Sequence, residues 1–226
     1  MSNYPFKVLL KKSKIMDYKV LPIMTLMNAG KPITEKDIIN IINKNAQDTN
    51  TRFTYEGIQD YLMEVQSGKN YLKNQGLDGR HWLDQSEIND LLYKELIIKQ
   101  LKAYQMEQKA ISLIKDVFPG IKVLQTEELD INFAVDFVLC DYNTEEYYYG
   151  IQVKPISFSH SNEIDKTKIL NKHRLFERNH LNTKVSFMYY GEHHFQDSPQ
   201  VIEKIWQHLN NATSYVNYFN SNEQYS

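Results

Sequence analysis

One aspartate inside an apolar run is the first sign of chemistry in this chain. Phe133-Ala134-Val135-Asp136-Phe137-Val138-Leu139 is rich in strand-forming residues, and Gln152-Val153-Lys154 lies in a second such run, Tyr147 to Ile156. Side chains alternate along a strand, so Val135, Phe137 and Leu139 are expected on one face and Asp136 with Ala134 and Val138 on the other. In the second run Tyr149, Ile151 and Val153 make the apolar face, opposite Gly150, Gln152 and Lys154. Turn formers fill the connection Asp141-Tyr142-Asn143-Thr144-Glu145-Glu146, so the two runs read as a hairpin. A loop with an odd number of residues would set Asp136 across from Gln152 or Lys154. An even loop without a bulge would send them to opposite faces.

A carboxylate and an amine above adjacent strands suit metal-assisted hydrolysis of a phosphodiester. Such a reaction needs a divalent cation to carry developing charge and to acidify a water. Mg²⁺ takes one or two carboxylates and keeps several waters. Asp136 would supply one carboxylate, and the backbone carbonyl of Val153 a further oxygen. Lys154 would hold the attacking water or the phosphoryl oxygens. Glu107, on the helix leading into the sheet, would add a second acid, with Glu95 and Glu127 as competitors. The basic stretch from Lys166 to Arg178, with Lys168, Lys172 and Arg174, would follow a phosphate backbone. The plainer alternatives are a cross-strand ion pair between Asp136 and Lys154 and an ordinary solvated helix face.

The elements that must position these residues are legible from periodicity. Residues 1–20 have no clear period. Residues 20–29 read as a short helix ended by Gly30-Lys31-Pro32. Thr34 has the position of an N-cap before Ile38, Ile39, Ile41 and Ile42, and a further helix is expected from Thr54 to Val65. From Ser86 to Phe118 apolar residues recur at three and four, as one helix or as two with a break near Tyr104. The period then becomes strand-like over 121–124, 133–139 and 147–156, with a fourth strand over 185–190. Amphipathic helices are expected over 162–179 and 199–219. The fold class is therefore α/β: a mixed sheet with helices on both sides, carried by residues 86–226, behind a helical subdomain of residues 1–85. Between the two lies Ser67 to Gln85, a glycine-containing basic loop with Lys69, Lys73, Arg80 and His81 as candidate DNA contacts and a surface loop as the alternative.

The order helix, three strands, helix, strand, together with Asp136 and Gln152-Val153-Lys154, resembles the PD-(D/E)XK nuclease superfamily and, within it, the type II restriction endonucleases. The resemblance covers roughly residues 100–192. It implies a restriction-endonuclease-like αβββαβ core in which Asp136 is the metal-binding acid, Lys154 the catalytic lysine and Glu107 the helical acid. It also implies Mg²⁺ as cofactor, double-stranded DNA as substrate, a short palindromic target and hence a homodimer. Gln152-Val153-Lys154-Pro155-Ile156-Ser157 is similar to a run in small enzymes that cut four-base palindromes. There are two departures. Val135 stands where the family often has proline. Gln152 replaces the second acid of the strand; its carbonyl oxygen can ligate a metal but brings no charge. The competing expectations are another nuclease on the same core, acting in repair or recombination, a DNA-binding module whose site has decayed at Gln152, and an interaction protein without a nucleic-acid role.

Composition sets outer bounds. The chain has 226 residues and a formal net charge of −2, so a general nucleic-acid coat is disfavoured, although lysines cluster locally at Lys7, Lys11, Lys12, Lys14 and Lys19. Cys140 is the single cysteine, expected at a buried strand end, which excludes an intrachain disulfide and a cysteine zinc site. No apolar run is long enough for a membrane span, and a cytoplasmic protein is expected. His193 and His194, with Glu192 and Asp197, lack the spacing of a metal site. His160 and His173 are expected at the surface, and Trp82 and Trp206 as packing residues.

Overall fold

The computed structural model describes residues 4–17, 20–68, 82–192 and 194–211. Lys69, Lys73, Arg80 and His81 lie outside the described residues, as does the segment beyond Asn211. The chain divides into two compact units, Met1–Tyr104 and Gln105–Ser226. The division falls within a helix, and residues from Gln85 onward pack among the N-terminal helices.

The first unit is helical: α1 (Tyr4–Ser13), α2 (Ile23–Gly30), α3 (Glu35–Asp48), α4 (Tyr55–Ser67) and α5 (Gln85–Leu92), then a π-helical segment (Tyr93–Ile98) and the start of α6 (Lys99–Val117). Side chains close several helix starts. Thr34 and Asp37 form a capping box on α3, Thr54 accepts from Gly57 N–H on α4, and Asp84 with Glu87 caps α5. Ile38 and Ile42, Ile58 and Leu62, Ile88 and Leu92 are each one turn apart and fully buried, forming the centre of this unit's core. Each such side chain contributes roughly 1.5–3 kcal/mol of transfer free energy. Phe6 and Leu9 anchor α1, too short an apolar pattern to show a period in the sequence. The break expected near Tyr104 is absent. The irregularity comes earlier, at Tyr93–Ile98, where the wider turn buries the adjacent Leu96 and Ile97 together.

The second unit is α/β. After α6 come β1 (Lys122–Leu124), a π-helical turn (Leu129–Phe133), β2 (Phe137–Cys140), β3 (Tyr147–Pro155), a 3₁₀ turn (Ile156–His160), α7 (Glu163–Asn179), β4 (Lys184–Tyr190) and α8 (Ser198–Asn211). The strands form a four-stranded mixed sheet in the order β1-β2-β3-β4, antiparallel except for the β3–β4 pair. α7 makes the crossover that a parallel pair requires. Phe137, Tyr149, Ile151, Val153 and Met188 share a core with Ala110 and Ile114 of α6 and Val201, Ile205 and Leu209 of α8. Val135 and Val138 pack instead with Leu129, Phe133 and Phe176 of α7. No helix among the described residues is long and apolar enough to cross a membrane.

One expectation is corrected. Residues 133–136 are not strand: Leu129–Phe133 is a π-helical turn ended by Ala134 in the left-handed region (φ 54°, ψ 45°). This turn rotates the backbone before β2 and sends Val135 to the α7 side, away from Phe137 and Leu139. The face of β2 and β3 that carries Val138 and Gln152 is closed to solvent. Helix α7 covers it, so every residue of β2 is buried.

Candidate active site

The hairpin register decides whether Asp136 and Gln152 can meet. Six residues, 141–146, separate the pair Cys140↔Tyr147, an even loop that would by itself place Asp136 and Gln152 on opposite faces. A bulge between Leu139 and Cys140 absorbs Tyr148 and restores the pairs Leu139↔Tyr149, Val138↔Gly150 and Phe137↔Ile151. The bulged residue is tied down, its hydroxyl donating to Asp141 Oδ2 at 3.1 Å. The paired register ends at Phe137↔Ile151, so Asp136 lies just outside the ladder.

Asp136 sits where β2 begins, and it completes the ladder with its side chain. Its N–H donates to the Ile151 carbonyl at 2.9 Å, and its Oδ2 accepts from the Val153 N–H at 2.7 Å. The N–H and C=O of a strand residue point to the same side. The Val153 carbonyl therefore faces the Asp136 side, beyond the last β2–β3 pair, Phe137↔Ile151.

Glu107 of α6 is the acid that joins this site. It is buried to 8% exposure, as is Asp136. Burial pushes the Glu107 carboxyl well above the usual carboxylate range, the Asp136 charge pushes it further, and the Lys154 charge opposes both. Burial likewise raises Asp136, to about 6, against the Lys154 charge and the Val153 N–H, which lower it, and with a further rise from Asp130. The competing acids lie elsewhere: Glu95 pairs with Lys99 on its own helix in the first unit, and Glu127 is exposed. Lys154 is half-buried, and among the described residues no ion pair joins it to either carboxylate. The plain cross-strand ion pair is thus not what forms here.

The donor set suits a hard divalent cation. Two buried carboxylates, with Asp136 raising the cost of ionising Glu107 and a backbone carbonyl near Asp136, match the oxygen ligands that Mg²⁺ takes. Among the described residues there is no group of three or more His, Cys, Asp or Glu able to hold a metal, and Glu107 and Asp136 are the buried acids at this site.

Gln152 is 2% exposed and turns toward α7, where its Oε1 lies 3.1 Å from His173 Nε2. The same nitrogen is 3.0 Å from the Ala134 carbonyl oxygen. His173 is therefore not a surface residue. It is 5% exposed, its ring packs tilted at 47° against Phe187 at 5.0 Å, and burial pushes its imidazole below the usual range. The clue in the sequence is its place three residues before Phe176, on the inward stripe of α7. Two other neighbours went unnoticed in the sequence. Tyr190 is raised to about 12 by burial and by the charges of Glu107 and Asp136, and Asp130 acts on both acids from the π-helical turn.

The basic residues of α7 are placed less uniformly. Lys172 donates to the Ile131 carbonyl in the turn that leads into Asp136. Lys168 lies 3.8 Å from Asp165, and Arg174 donates to Asn171 at 3.1 Å. Arg174, Arg178 and Lys184 line a shallow surface pocket of about 560 Å³ with Asn171 and Glu177. Trp206 packs against Phe118 at 4.9 Å, His160 and Trp82 are exposed, and Cys140 is buried. No family model, curated protein or solved structure matches this chain.

Proposed function

We propose that the chain is a Mg²⁺-dependent nuclease acting on double-stranded DNA, a type II restriction endonuclease that cuts a short palindromic site as a homodimer. The observation that carries the reading is the pair of buried carboxylates, Glu107 from α6 and Asp136 from the entry to β2, facing the charge of Lys154 on β3. Structural acids are seldom buried together without a direct cationic partner. The element order from α6 to β4 is compatible with a restriction-endonuclease-like αβββαβ core.

Asp136, Glu107 and the Val153 carbonyl would hold the cation. When bound, Mg²⁺ supplies positive charge against the developing charge on the phosphate and makes water more acidic. Lys154 steadies the phosphoryl oxygens from the neighbouring strand. The Val153 N–H fixes one oxygen of Asp136, so the carboxylate is oriented before any ligand arrives. Arg174, with Lys168 and Lys172, contacts the phosphate backbone from α7, and Lys69, Lys73, Arg80 and His81 contribute to base reading in a groove.

Digestion of a plasmid of known sequence in Mg²⁺ tests this reading. Discrete fragments are expected, and Asp136→Ala and Lys154→Ala should each abolish them while leaving the fold intact. A smear or junction-specific cutting would point to a repair or recombination nuclease. Full activity in either variant would end the proposal. A second reading rests on Gln152, which stands where a further acid would strengthen the metal site: DNA binding with no metal-dependent cutting would indicate a decayed module.

A further inference from the structure

We infer that His173 is a positioning residue that turns Gln152 into a hydrogen-bond donor for a phosphodiester oxygen rather than a ligand for the metal. The argument begins at Ala134. Its carbonyl oxygen only accepts, so the His173 Nε2 that lies 3.0 Å from it carries a hydrogen. That nitrogen is also 3.1 Å from the Gln152 side chain, whose nearer atom must then be the acceptor, Oε1. One N–H is shared between the two oxygens, and the shared bond fixes which way round the Gln152 amide sits.

Two consequences follow from chemistry alone. With Oε1 engaged by His173, the end of Gln152 turned away from α7 is its NH₂ group, which only donates. Phosphate oxygens only accept, so this group suits a phosphodiester and not a cation. His173 also brackets the two arms of the site. It holds Ala134, the left-handed residue two before Asp136, and Gln152, two before Lys154. Phe187, itself 5.6 Å from Phe158, packs on the imidazole and limits its rotation. The bracket is independent of function; the phosphodiester as acceptor rests on the nuclease reading above.

The first test is nitrogen-15 correlation NMR of the imidazole rings in the full chain, without metal or DNA, with His173 assigned by comparison with His173→Leu. A protonated Nε2 is expected, and a bare Nε2 overturns the inference. Cleavage supplies the second arm. The amide nitrogen of His173→Gln reaches about as far as Nε2, so kcat should stay within about threefold of wild type, whereas His173→Leu should lose on the order of 10- to 100-fold. Equal loss in both would make His173 a packing residue only. The third arm is calorimetric titration with Mg²⁺ alone: Gln152→Ala should bind within about twofold of wild type, and weakening by about tenfold would make Gln152 a ligand and overturn its donor role. If His173→Leu does not fold, His173→Gln and the wild-type spectrum still decide. A wild-type chain with the expected tautomer but no cleavage would reject the nuclease reading and retain the bracket.

Discussion

The Val153 N–H donates to Asp136 Oδ2 at 2.7 Å, so a carboxylate takes the place of a backbone acceptor where β2 and β3 part. One oxygen of the acid is thereby engaged by the sheet, while the carboxylate feels the Lys154 charge and raises Glu107. Structure and chemistry share this side chain, and conservative replacement should separate them.

Asp136→Asn keeps an oxygen for the Val153 N–H and removes the charge. It should fold with the same sheet and lose cleavage. Asp136→Ala leaves that buried N–H without a partner and should unfold roughly 1–3 kcal/mol more easily than the Asn variant. Urea denaturation at pH 8 in EDTA measures the difference; equal stabilities would mean that the hydrogen bond does not hold the hairpin.

Without metal, stability should fall as pH rises. Asp136 is raised from an ordinary 3.8 to about 6, and Glu107 is raised by the same burial, so both fold more readily when neutral. The Asp136 contribution is complete below about pH 4, the unfolded carboxylate range, and is lost as pH climbs through about 6, and Glu107 acts in the same direction. For Asp136 the shift corresponds to roughly 3 kcal/mol. If these acids hold Mg²⁺ as proposed, it takes their ionised forms and should raise the melting temperature strongly at pH 8 and hardly at all at pH 5. A metal effect of equal size at both values would dissociate these acids from the cation.

Gly150→Ala should crowd the back of the site. A Cβ there would lie 3.2 Å from both Val135 Cγ1 and Val185 Cγ2, and 3.5 Å from Phe176. Valines are stiff and Val135 adjoins Asp136, so the methyl can be accommodated only by shifting that segment. A loss of about 1–2 kcal/mol is expected, with a drop in kcat larger than in DNA affinity. Unchanged stability would show that this layer can yield.

Arg174 and Lys172 should differ in binding assays with Ca²⁺ in place of Mg²⁺. Arg174→Gln would remove the proposed phosphate contact and should lower the slope of log affinity against log salt by about one, with stability unchanged. Lys172→Gln also removes the link from α7 to Ile131, and should reduce thermal stability as well. If neither variant alters the salt dependence, α7 does not face the backbone of the duplex.

Some of this protein was fixed by local sequence. Thr34 as a cap, the helical spacing from Ile88 onward, and the strand runs around Val138 and Ile151 follow from side-chain period and backbone chemistry within a few residues. Asp136 and Lys154 stood out because charges are costly inside apolar strands. Tertiary structure decided what they could do. Six loop residues predict one register, and only the bulge that absorbs Tyr148 shifts it to Phe137↔Ile151, beside Asp136. Glu107 was one acid among three until packing of α6 on the sheet buried it beside Asp136. His173 looked like a surface residue until α7 laid it against Ala134 and Gln152. Register and helix docking depend on contacts between residues far apart in the chain, and a local pattern carries no record of them.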